Sequence, residues 1–169
     1  MKLRLYHLSA LLIFAGCISP PTYPVEPEIK FLSLSRNLVS QLDSVRVEFT
    51  FTDGDGDIGK INPDSAGCNT CILDSCLHTD WSLFLTDTRK GCMELFMVPY
   101  IPPKGSSDAI SGKFNIVISG ICCFYPDNTG CVPNSNYPRD TVVYAVQIKD
   151  RAGHLSNKLE LPPIIVQCN

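Results

Sequence analysis

The chain has 169 residues, with 17 Asp or Glu against 14 Lys or Arg and a formal net charge of −3. That balance excludes the basic footprint with which proteins hold nucleic-acid phosphates, so no nucleic-acid partner is expected. The length fits one domain after a leader, and 11 glycines with 13 prolines, without helical periodicity, disfavour helical and α/β architectures.

The first segment reads "MKLRLYHLSALLIFAGC", in which Lys2 and Arg4 precede a mostly apolar run from Leu8 to Ala15. That run is shorter than the roughly 20 residues a spanning helix needs. It is expected to be a secretory signal over residues 1–16, set aside from fold reasoning. Its end, "IFAGC", resembles the lipobox of bacterial lipoproteins. The resemblance implies cleavage before Cys17 and acylation of that cysteine; the alternative is an ordinary disulfide cysteine. Residues 17–27 then carry four prolines, which deny a helix and favour an extended tether. Attachment to the membrane would rest on lipid alone, through the more than one acyl chain that lasting anchoring requires. Losing Lys2 and Arg4 with the signal takes the charge from −3 to −5.

The body, residues 28–169, shows strand patterns at regular intervals. "EIKFLSLS" offers Ile29, Phe31 or Leu32, and Leu34, with an imperfect phase. "DSVRVEFTFT" is cleaner: Val45, Val47, Phe49 and Phe51 share one face, while Arg46, Glu48, Thr50 and Thr52 share the other. "WSLFLTDT" carries Trp81, Leu83 and Leu85, and "CMELFMVPYI" ends at a proline pair that cannot sit inside a sheet. "GKFNIVISGICCF" groups Phe114, Ile116 and Ile118, "DTVVYAVQIKD" groups Val142, Tyr144, Val146 and Ile148, and "LPPIIVQC" groups Ile164 and Val166. Seven short strands predict an all-β, immunoglobulin-like antiparallel β-sandwich, since one sheet alone would leave an apolar face wet. Between the second and third strands lies a polar, cysteine-rich insertion at about residues 60–80.

With Cys17 set aside, eight cysteines remain: Cys68, Cys71, Cys76, Cys92, Cys122, Cys123, Cys131 and Cys168. An even count in an exported chain predicts a disulfide-stabilised domain, with 105 formal pairings open. Each closure would contribute roughly 2–4 kcal/mol. The competing reading is a thiolate metal or redox site at Cys68-x2-Cys71. It lacks a second CxxC, and the body holds only His78 and His154 besides.

The clean second strand runs into "FTDGDGDIG", where Asp53, Asp55 and Asp57 continue the phase of its buried residues. Unpaired carboxylates do not belong in an apolar core, so the chain is expected to leave the sheet near Thr52, helped by Gly54, Gly56 and Gly59. Three converging carboxylates then need solvent or a cation, and hard oxygen ligands in a flexible loop suit calcium. An EF-hand is excluded, because Ile58 replaces its sixth-position glycine and Asp64 its terminal glutamate. In immunoglobulin-like order the loops leaving the second and sixth strands share an end, which adds Asp150 as a fourth ligand and brings Asn157 close. The alternative is a solvated turn without metal, since Asp and Gly are ordinary turn formers.

Lipobox, "FTDGDGDIG", cysteine-bearing middle and "YAVQIKDRAGHLSN" together resemble small lipoproteins of the Bacteroidetes type with immunoglobulin-like modules. The resemblance implies an outer-membrane address, on the periplasmic or the outer face, and no reaction. No G-x-S-x-G elbow is present, and Asp53, Asp55 and Asp57 are too clustered for a glycosidase pair. The expected role is a non-enzymatic binding or structural module with calcium as cofactor and an envelope protein or glycan as partner. Phe124, Tyr125 and Tyr137 are candidate contacts for that partner, their other role being to fill space beside disulfides. The alternatives are a metal-assisted hydrolase, or another enzyme of the envelope, and a metal-free scaffold.

Overall fold

The computed structural model describes residues 22–102 and 108–169. The expected signal, Cys17 and the first part of the tether lie outside the described residues. Among the described residues, no helix is long and apolar enough to cross a membrane.

Each of the seven expected strands is present: β1 (Glu28–Leu34), β3 (Asp43–Asp53), β4 (Leu83–Asp87), β5 (Met93–Phe96), β6 (Ile110–Ile121), the pair β7 (Arg139–Val142) and β8 (Tyr144–Ile148), and β10 (Ile164–Gln167). Two short strands are additional, β2 (Leu38–Ser40) and β9 (Leu159–Glu160). The imperfect phase of β1 is a bulge: pairing with β3 shifts register between Phe31 and Ser33, which leaves Leu32 44% exposed. An extra residue in one strand of an antiparallel pair has this effect.

The domain is all-β and disulfide-stabilised, and its strands form three sheets rather than the two expected: β1-β3-β6, β2-β10-β7 and β5-β4-β8-β9. Among the described residues, the strand pairings are antiparallel except β2 with β10. Only Val143 separates β7 from β8, and only residues 161–163, including Pro162 and Pro163, separate β9 from β10. Proline cannot donate to a ladder, so the ladder breaks there and resumes with its register slipped by one residue, from Val142↔Ile164 to Ala145↔Glu160. The amide of Leu161 still donates to the Tyr144 carbonyl at 2.8 Å across the break. The second and third sheets therefore run end to end.

Alternation along β3 places Val45, Val47, Phe49 and Phe51 inward, at most 4% exposed, in one buried cluster with Leu83, Leu85, Val142, Val146, Ile148, Ile164 and Val166. A second cluster lies on the other face of β4 and β5. There Phe84, Met93 and Cys76 pack with Leu73, Trp81 and Leu155. The insertion covers this face with a five-residue helix, α1 (Leu73–Leu77), and Trp81 donates to the Ala66 carbonyl at 3.1 Å.

All eight cysteines pair: Cys68–Cys76, Cys71–Cys92, Cys122–Cys131 and Cys123–Cys168. Cys68 and Cys71 thus have different partners, which removes the thiolate-metal alternative. Tyr125 is buried beside the Cys122–Cys131 loop, its hydroxyl donating to Val132 at 2.7 Å and its ring 5.7 Å from that of Tyr137. Lys90 sits 4.9 Å over the Phe124 ring. Of these aromatics Tyr125 fills space beside a disulfide, while Tyr137 is exposed.

Candidate metal centre

Strand β3 does not end at Thr52. Asp53 is still paired with Ile110 of β6 and keeps the inward phase, with 0% exposure. The carboxylate is tolerated there because the chain folds back at once, and the Asp57 amide donates to Asp53 Oδ2 at 2.8 Å. The return needs glycine. Gly56 adopts φ of 68°, and a Cβ there would collide with the Asp108 carbonyl. At Gly54 the demand is for space: a Cβ would run into the carbonyls of Tyr23 and Pro24, so the tether end packs directly on this loop.

The loop after β8 meets the aspartate loop side by side. Ile58 and Asp150 form an antiparallel bridge, and the amides of Arg151 and Ala152 donate to the Asp57 carbonyl and Oδ2 at 3.1 and 3.0 Å. Arg151 Nη1 adds a bond of 2.8 Å to the Gly59 carbonyl. Asp150 is 3% exposed; its Oδ1 accepts from the amides of Gly153 and His154 at 2.6 and 2.8 Å, and its Oδ2 lies 2.8 Å from His154 Nδ1.

These contacts bring together the four residues predicted as ligands. Asp53, Asp55, Asp57 and Asp150 each present an oxygen within 4.8 Å of the others. Two oxygens bound to one calcium ion at 2.3–2.6 Å are at most about 4.6–5.2 Å apart, so this spacing is compatible with a shared ion. Asp53 Oδ1 and Asp57 Oδ1 are buried and have no hydrogen-bond partner. Burial first, then the neighbouring carboxylates, pushes the Asp53 pKa from 3.8 up to about 6, against the opposing hydrogen bond from Asp57. Burial, followed by the charges of Asp150 and Asp55, also raises Asp57. His154 is raised by its hydrogen bond to Asp150. Four carboxylates in this arrangement can hold a divalent cation.

Asn157 has a different role. Its amide accepts from the Ile29 amide at 2.8 Å and donates to the Ile29 carbonyl at 3.0 Å, pinning β1 to the loop before β9. Sequence reasoning missed Lys149, which ties the loop after β8 to the insertion, Arg151, which ties it to the aspartate loop, and the His154–Asp150 pair, whose only trace in sequence is "DRAGH". Asp64, the residue at the EF-hand terminal position, instead donates its amide to Asp80 Oδ2 at 2.7 Å. No protein-family model, curated protein or solved structure matches the chain, so the geometry carries the functional argument.

Proposed function

We propose that the protein is a calcium-stabilised binding module of the bacterial envelope, lipid-anchored through Cys17 and built as an immunoglobulin-like sandwich. The observation that carries the cation is Asp53, a carboxylate with no solvent exposure and one oxygen without a partner, set among three further carboxylates. An unsatisfied buried charge is expensive, and a hard cation offsets it. Calcium is favoured over magnesium because the ligands come from two loops of unequal burial, which suit a large, flexible coordination shell better than a tight octahedron.

The immunoglobulin-like reading is supported by the end-to-end continuity of two of the three sheets, which gives a second layer opposite β1-β3-β6. The anchor is supported by the lipobox and the tether alone. A binding role suits loops fixed by disulfides and a cation on a rigid frame.

The test is melting of the protein with calcium, with magnesium and with chelator, for the native sequence and for Asp55→Ala. A specific site predicts a calcium-dependent rise, smaller with magnesium, that the substitution abolishes. Equal melting under all conditions sinks the cation. Labelling with a radioactive fatty acid tests the anchor, and a Cys17→Ser chain that still takes up label refutes it.

A further inference from the structure

Next to the carboxylate cluster is a cavity of about 520 Å³, walled by the end of the cysteine-rich insertion on one side and by the Lys149–Gly153 segment on the other. Its size falls within the roughly 300–1,000 Å³ of small-molecule sites. Asp150 belongs to both features, lining the cavity and contributing to the cluster. The insertion is the one prominent sequence feature that the cation site does not use.

At the base of the cavity, Lys149 is only 5% exposed. Its Nζ donates to the carbonyls of Leu77 and Thr79 at 2.7 and 2.6 Å and lies 5.7 Å from the centre of the Phe84 ring, so it is a fixed positive charge beneath the cavity. Arg151 is held at the edge by the Gly59 carbonyl and by the Tyr100 ring, 5.3 Å away; a guanidinium has five N–H donors. Exposed His78 also faces this space. Lys60 and Asp80, also in the wall, pair at 2.8 Å and cancel.

The local charge then depends on the cation. With His154 neutral, four ionised carboxylates against Lys149 and Arg151 leave two net negative charges, which repel an anion; one divalent cation brings that balance to zero. We propose that this cavity is a calcium-dependent site for a small polyhydroxylated anion, a carboxylate or phosphate head on a body the size of one sugar ring. The head pairs with exposed Arg151 over the buried charge of Lys149, and the hydroxyls meet polar wall residues such as Thr79 and Ser82. The proposal rests on the cation reading above. It also accounts for the insertion, because the Cys68–Cys76 and Cys71–Cys92 bridges hold one wall of the site. Neutralising two like charges beside the site is expected to raise affinity on the order of tenfold.

The test is calorimetric titration of the full chain with glucuronate, glucose 6-phosphate and glucose, in calcium and in chelator, for the native sequence and Arg151→Gln. Calcium-dependent melting is recorded on each sample first. The expected result is that at least one anion binds the calcium-loaded chain, glucose does not, and chelator weakens binding at least tenfold. Arg151→Gln weakens it about tenfold when each chain is held at a calcium concentration that its own melting curve shows to be saturating. Which anion binds identifies the head group as carboxylate or phosphate. Binding of neither anion, equal binding of glucose, or equal binding in chelator overturns the proposal, as does unchanged affinity in Arg151→Gln. A chain whose melting ignores calcium overturns the cation reading instead, and that is visible before any sugar is added.

Discussion

Replacing Asp53 with Asn should stabilise the protein in chelator and destabilise it, relative to native, in calcium. Metal-free, the ionised carboxylate is penalised by burial and by three like charges, which is why its pKa rises from 3.8 to about 6. That gap corresponds to about 3 kcal/mol at neutral pH, an upper bound because solvent near the rim of the domain screens the cluster. Asparagine has nearly the same shape, and its Oδ1 still accepts from the Asp57 amide, so the variant should gain about 2 kcal/mol. At roughly 2–4 °C per kcal/mol for a domain of this size, melting should rise by about 4–8 °C in chelator. In saturating calcium the native chain gains binding free energy that grows with the logarithm of free calcium, and the variant gains far less. The order of the two melting temperatures should therefore invert between conditions, as read by calorimetry. A variant less stable than native in chelator would refute the reasoning, because it would mean that the Asp53 carboxylate is stabilised, not strained, without metal.

The same residue sets a pH dependence. Since its folded pKa is raised, Asp53 contributes stability that is fully present below 3.8 and lost as pH rises through about 6. The native chain in chelator should melt at falling temperature from about pH 4 to 6 relative to Asp53→Asn, levelling off above that, and a flat difference would exclude the shift. Gly54→Ala should release the tether end, because its Cβ meets the Tyr23 and Pro24 carbonyls; amide exchange over residues 22–27 should accelerate and stability should drop by about 1–3 kcal/mol. Removing Cys123–Cys168, which spans 45 residues, should cost about 4 kcal/mol, against about 2.5 kcal/mol for Cys68–Cys76, which spans 8; denaturant melts of the two double-alanine variants compare them directly. Arg89→Met should cost about 3–5 kcal/mol by the same measurement, since Arg89 bonds Asp87, Asp140 and the Cys122 carbonyl with its side chain only 15% exposed.

The strand pattern was legible wherever one face of a strand meets the core. Val45 to Phe51 alternate in sequence and are buried accordingly. Phe84 was not legible in the same way. Alternation with Leu83 and Leu85 assigns it to solvent, yet it is 1% exposed because the insertion covers that face. An insertion long enough to bring its own disulfides can bury the outer side of a sheet, and period-two reasoning has no access to it. The break between β7 and β8 and the pairing of the cysteines were hidden for a related reason. Both depend on which strands lie side by side, and no local property of "YAVQIKD" or "CCF" encodes that.

The aspartates show where such reasoning succeeds and where it stops. Strand phase identified Asp53 as inward-pointing, and hydrophobicity then argued that the chain must turn away before reaching it. The structure keeps the phase and delays the exit by one residue: Asp53 remains in the ladder, while Asp55 and Asp57 leave the strand and the loop wraps round to meet it. Asp150 was reached from strand order alone, because antiparallel strands entering from the same side leave at the same end. That argument is insensitive to whether the strands are counted in two sheets or three, since it needs only β3 and β8 to run in the same direction and finish together. What topology could not supply is the adjacent pair Lys149 and Arg151. Flanking Asp150 along an irregular segment, they bond to the insertion and to the Gly59 carbonyl respectively. Their arrangement joins three parts of the chain, the aspartate loop, the β8–β9 loop and the insertion, into one charged end of the domain.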